Sequence, residues 1–205
     1  MISLYFGLPG CGKTTLLCSI ACKYIKKGVK VYGNVHLALP GYTYIDNDCI
    51  GKYMLEDCII LIDEGAVFAN SRDYKNFSLA LTNFFNLHRH YNADIMVFSQ
   101  RYNGIDKNIR TLCERVYYVY KSGILSHWVT KYYPIPYGMI IPDTKKGESS
   151  KLGEIIEGYC KPGFFTRLFR GGKVWRKKYY KYFDSWERPV LPPLPEQYIS
   201  WQEQP

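Results

Sequence analysis

The chain has 205 residues, 47% of them hydrophobic, and a formal net charge of +9. That length holds one domain with a full core, and the hydrophobic content with no long biased tract predicts a globular chain rather than a disordered one. The charge excess favours a polyanionic partner, either nucleic acid or an anionic membrane surface. Seven cysteines, an odd number with no C-x-x-C, read as small buried hydrophobes in a reducing compartment. No apolar run approaches a membrane span. The expectation is a cytoplasmic protein, or the cytoplasmic portion of a longer one.

Ile2-Ser3-Leu4-Tyr5-Phe6 is short, apolar and aromatic, which predicts a buried strand. It runs directly into Gly7-Leu8-Pro9-Gly10-Cys11-Gly12-Lys13-Thr14, the pattern G-x-x-x-x-G-K-[ST]. Glycines at these positions let the backbone curl until several N–H groups face one anion. Lys13 supplies a full charge for the β- and γ-phosphates, and the Thr14 hydroxyl suits a bridging Mg²⁺. From Thr14 onward, Leu16, Ile20 and Tyr24 recur at helical spacing and Gly28 marks a stop. A helix N-terminus there adds its own attraction for phosphate. The expected nucleotide-binding set is Gly7, Gly10, Cys11, Gly12, Lys13, Thr14 and Thr15, with ATP and Mg²⁺ as cofactors.

A second strand is predicted at 29–35. The stretch from 36 to 54, broken by Pro40 and Gly41, reads as a loop carrying short structure. Cys58–Ile62 is an unbroken apolar run, the signature of a strand buried on both faces of a parallel sheet. It ends in Asp63-Glu64. Asp63 is placed to hold the Mg²⁺ shell together with Thr14, and Glu64 to polarise the attacking water. Residues 76–91 place Phe77, Leu81, Phe84, Phe85 and His88 on helical spacing, an amphipathic helix. Further strands are expected at 94–100 and 115–121. The first of these ends in Ser99-Gln100, where an amide can orient the lytic water.

Alternating strands and helices give an α/β fold with a mostly parallel sheet. Arg89 precedes the Gln100 strand, at the end away from the crevice of its own subunit. From there it could reach a neighbour's nucleotide in a ring; Arg110 and Arg115 are weaker candidates. Beyond 125 the alternation stops. Prolines at 134, 136 and 142 leave at best an edge strand and a loop. The domain reading is a core over 1–130 and an extension over 131–205 that packs on it.

"YFGLPGCGKTT", "ILIDEGAVFANSRDYKN", "LHRHYNADIMVFSQRYNGIDKNIRTLCERVYYVYKSG" and "YKYFDSWE" together resemble the zonular occludens toxin-like family, typified by filamentous-phage assembly ATPases. The resemblance implies a P-loop motor of the FtsK–HerA group that works as a homo-oligomeric ring and bears on extrusion of single-stranded DNA through the envelope. By position, Lys13 and Thr14 would be its Walker A pair, and Asp63 and Glu64 its Walker B pair. Gln100 would be the strand-end glutamine and Arg89 the trans-acting arginine. Envelope or phage assembly proteins would be partners at the inner face of the host bacterial membrane.

Residues 161–181 hold eight Lys or Arg and no acid, interleaved with Phe, Trp and Tyr. Cations that track phosphates and rings that take bases suit a single strand. The same composition also suits an anionic membrane or a plain basic strand pair. The function expected is therefore an ATP-driven assembly motor. A genome-packaging ATPase at a capsid and a nucleotide-gated membrane-docking module remain as alternatives.

Overall fold

Strands that bury both faces need apolar side chains throughout, and two five-residue runs supply them almost without a break. Ile2–Phe6 (β1) and Cys58–Ile62 (β4) are buried at every position. The computed structural model describes residues 1–63, 79–121, 127–135 and 171–184. The other elements are α1 (Lys13–Ile25), β2 (Lys30–Gly33), β3 (Tyr42–Tyr44), α2 (Leu79–Leu87), β5 (Ala93–Ser99), α3 (Lys107–Leu112), β6 (Arg115–Lys121), β7 (Val129–Pro134) and β8 (Gly172–Trp175). Glu64, the polar stretch at 143–153, residues 161–170 and the proline-rich end lie outside the described residues.

One sheet runs in the order β3-β2-β4-β5-β1-β6-β7-β8. The first six strands are parallel, and β7 and β8 add on antiparallel. The parallel expectation holds, with one correction. β7 is an interior strand, because β8 pairs with its outer edge. Pro134 falls on its last residue, where a missing N–H costs the ladder least. β3 is the kind of short structure expected within the 36–54 loop, whereas α3 was not foreseen. Asp106 caps α3 by accepting from the Asn108 N–H at 2.7 Å.

The alternation of β1 divides the core. Ile2, Leu4 and Phe6 pack with Ile60, Ile95, Phe85 and Ile109 on the α2–α3 face. Tyr5 packs with Leu16, Leu17, Leu61, Phe98 and Val119 on the α1 face. Three of the chain's 20 tyrosines meet in this part of the core. Tyr5 stacks between Phe98 and Tyr117 at 4.8 and 4.6 Å, and Tyr132 meets both tyrosines edge-on. Burial holds the Tyr5 hydroxyl far above the usual phenol range. The cysteines behave as apolar fillers: burial pushes Cys58 up to about 11 and Cys113 up to about 12. Among the described residues no helix is long and apolar enough to cross a membrane.

The helix expected to reach residue 91 stops at Leu87. The His90 N–H bonds the Leu87 carbonyl at 2.8 Å, and Asn92 turns the chain with φ +48°. His88 is buried in that turn, with Nδ1 2.7 Å from the Phe85 carbonyl. Burial lowers its pKa below 6.5, so the unfolded chain takes up the proton first. This contribution is complete above about pH 6.5 and is lost as pH falls toward the lower folded value. The adjacent Glu114, pulled down chiefly by Arg89, loses its own contribution only below the ordinary carboxylate range. Thermal unfolding measured between pH 7.5 and 5.5 should therefore show a falling midpoint, and His88→Asn should flatten that part of the profile.

Candidate nucleotide site

β1 delivers Gly7 to the carboxyl edge of the sheet, where its N–H bonds the Ser99 carbonyl of β5 at 3.2 Å. A Cβ on Gly7 would collide with the Val119 carbonyl of β6, so only glycine lets the loop start this close to the sheet. Gly10 and Gly12 then take φ +69° and +96°, turning the chain into α1. The first helical hydrogen bond is Leu16 N–H to the Gly12 carbonyl, at 3.0 Å. The N–H groups of Lys13, Thr14 and Thr15 are thus the orphan donors of a helix start.

Lys13 is buried, and its Nζ donates to the Gly7 carbonyl at 2.9 Å and the Leu8 carbonyl at 3.3 Å. An ammonium has three N–H bonds, so one is left for an anion. Thr14 Oγ1 donates to Asp63 Oδ2 at 2.8 Å. With its proton committed to the carboxylate, the hydroxyl keeps its lone pairs for a cation. Hydroxyl and carboxylate oxygens are hard donors, and their spacing fits Mg²⁺ held with several waters.

Asp63 is fixed by a side chain the sequence did not mark. Asn34, just past β2, donates from Nδ2 to the Asp63 carbonyl at 3.0 Å, and its Oδ1 accepts from the Asp63 N–H at 2.7 Å. A second bond from Nδ2, to Asn47 Oδ1 at 2.9 Å, fixes the amide itself. Lys13, Thr14, Thr15, Asp63 and Gln100 line one cavity of about 730 Å³. Gly10 and Gly12 line it as well; of the other expected residues among the described ones, Gly7 and Cys11 belong to the loop behind that lining and Arg89 lies away from it.

Arg89 lies in the turn before β5, while Gln100 follows its far end, so the strand's seven residues separate them. Its Nη2 lies 2.9 Å from Glu114 Oε1, and the side chain is 70% exposed. Arg110 is engaged elsewhere, donating to Asn103 Oδ1 at 3.3 Å beside the Tyr102 ring. Arg115 opens β6 at the same end of the sheet as Glu114.

An arginine not expected does reach the loop. Arg176 follows β8 and donates from Nε to Thr130 Oγ1 at 2.9 Å, from Nη1 to the Gly10 carbonyl at 3.2 Å and from Nη2 to the Cys11 carbonyl at 2.5 Å. Thr130 itself donates to the Cys11 carbonyl at 2.9 Å. A Cβ on Gly12 would collide with the Thr130 hydroxyl and lie 3.1 Å from the guanidinium. The Cys11 thiol is pushed up by burial, against the pull of Lys13 and Arg176, and stays protonated.

Residues 43–146, just over half of the chain, match the family model for zonular occludens toxin (Zot). Among solved structures, the N-terminal domain of zonular occludens toxin from Neisseria meningitidis is similar at a TM-score of 0.56 and 20% identity, covering 89% of this chain and 98% of that one. The genome packaging NTPase B204 from Sulfolobus turreted icosahedral virus 2, in complex with ATP-gammaS, reaches a TM-score of 0.50 at 9% identity, covering 65% and 91%. No curated protein matches the chain. The structural likenesses, at such identities, establish the P-loop NTPase fold. With the family match added to that fold and to the loop geometry, the chain belongs to the zonular occludens toxin family.

Proposed function

We propose that the protein is an assembly ATPase of the filamentous-phage type, which couples Mg-ATP hydrolysis to extrusion of single-stranded DNA. The observation that carries this reading is the 2.8 Å bond from Thr14 to Asp63 beside the buried Lys13. It joins a phosphate loop and an acid-tipped strand through two hard oxygen donors, which supports a Mg²⁺ held between them. In this reading Lys13 and the loop amides hold the β- and γ-phosphates. Asp63 and Thr14 hold Mg²⁺, which when bound neutralises charge developing on the transferred phosphoryl group. Glu64 takes the proton of the attacking water, and Gln100 orients that water. The products are ADP and phosphate.

Arg89 serves the neighbouring subunit. It lies beyond reach of its own cavity, and its exposed pair with Glu114 costs only about 0–1 kcal/mol to open. A homo-oligomeric ring, at the cytoplasmic face of the host's inner membrane and meeting envelope or assembly proteins there, gives that arginine a task. Single-stranded DNA finds cations and rings on one stretch. Lys173, Trp175, Lys177 and Tyr180 are exposed, and Lys177 stands 5.7 Å from the Trp128 ring.

Steady-state hydrolysis tests this reading. Turnover should rise steeply with protein concentration, increase with single-stranded DNA and vanish in Lys13→Ala. Arg89→Ala should lose turnover by on the order of a thousandfold while ATP binding is kept. An assembled Arg89→Ala ring that hydrolyses normally contradicts the trans role. A flat rate indifferent to every DNA contradicts the motor.

A further inference from the structure

Arg176 is only 8% exposed, yet no carboxylate among the described residues pairs with it. Its partners are the Thr130 hydroxyl and two backbone carbonyls, all of them neutral oxygens. A guanidinium buried among neutral groups is costly unless an anion comes within reach. Arg176 also lines the same cavity as Lys13 and Thr14. A polyphosphate entering that cavity would bring such an anion within reach.

The contacts further show how the charge acts. The Cys11 carbonyl receives both Arg176 Nη2 and Thr130 Oγ1. Across a trans peptide, the N–H of Gly12 points away from those two donors. A charge-assisted bond on the carbonyl polarises the whole peptide and strengthens that N–H as a donor. The Gly10 carbonyl takes one such bond, from Arg176 Nη1 at 3.2 Å, while the N–H of Cys11 closes the turn on the Leu8 carbonyl at 3.2 Å. Arg176 therefore fixes the outward side of the loop, which determines how the inward amides stand.

The segment that carries Arg176 is itself strapped down. The Arg176 N–H bonds the Trp128 carbonyl at 2.8 Å, Ser19 on α1 donates to the Tyr179 hydroxyl at 3.1 Å, and the Ala38 N–H bonds the Tyr182 carbonyl at 2.8 Å. Tyr180, Phe183 and Asp184 complete one wall of the cavity. We propose that Arg176 is a positioning residue for the nucleotide's phosphates within its own subunit, and that residues 172–184 are thereby part of the nucleotide site. The proposal rests on the Mg-ATP reading of the phosphate loop.

The test is equilibrium binding of Mg-ATP by the full chain, its Arg176→Ala variant and its Arg176→Lys variant, with thermal unfolding recorded for each. Arg176→Lys keeps the buried charge but cannot fork across two carbonyls and a hydroxyl, so it reports on positioning even where the alanine variant fails to fold. Both substitutions should weaken Mg-ATP binding, the alanine on the order of tenfold to a hundredfold. Amide exchange on the unaltered protein, referenced to core amides of β4 and β5 that report general stabilisation by the ligand, adds a second readout. Saturating Mg-ATP should slow exchange at Arg176, Tyr179 and Tyr182. Binding unchanged in both variants, or exchange at those amides indifferent to Mg-ATP, overturns the inference alone. Unaltered protein that binds no Mg-ATP overturns the ATPase reading and this inference with it.

Discussion

A loop that turns its amides inward on an anion must turn its carbonyls outward, and each of those carbonyls needs a donor. Much of the structure around residues 7–12 answers that need. Lys13 folds back on the carbonyls of Gly7 and Leu8. Arg176 takes those of Gly10 and Cys11, and Thr130 takes Cys11 a second time. The donors come from α1, from β7 and from the turn after β8, so elements far apart in sequence are recruited to one octet.

The sheet makes that recruitment possible. Six parallel strands place their carboxyl ends along one edge, which brings Lys13, Asp63 and Gln100 into the same crevice. β7 and β8 then extend the sheet antiparallel on the side of β6, carrying Thr130 and Arg176 to the far flank of the loop. On the other flank Asn34 holds the backbone of Asp63 from β2. The phosphate loop is thus gripped from both sides, with the acid aligned by one and the loop carbonyls satisfied by the other.

What could be read in the sequence was what is written locally. The glycine pattern with its lysine, the apolar run ending in Asp63 and the amide after β5 each carry their chemistry within a few residues, and the structure brings all three together. Arg176 and Thr130 could not be read that way. Their contacts with Cys11 span 165 and 119 residues, and nothing near Arg176 sets it apart from the other cations of a basic stretch. Asn34 was silent for the same reason, since a strand-end asparagine is an ordinary turn residue until its partner strand is known. β7 was undervalued because its prolines fall at and beyond its end, leaving the interior free to pair on both sides. α3, with six residues, was too short for periodicity, although Asp106 at its cap was a usable signal.

The central claim is that Thr14 and Asp63 frame a cation position that completes the phosphate cradle. ATP affinity measured with Mg²⁺ and again with the metal chelated tests it most directly. The account predicts one nucleotide bound per chain and affinity at least roughly tenfold tighter with Mg²⁺, a difference lost in Thr14→Val. Equal affinity with and without the metal, or no binding in either condition, would contradict it.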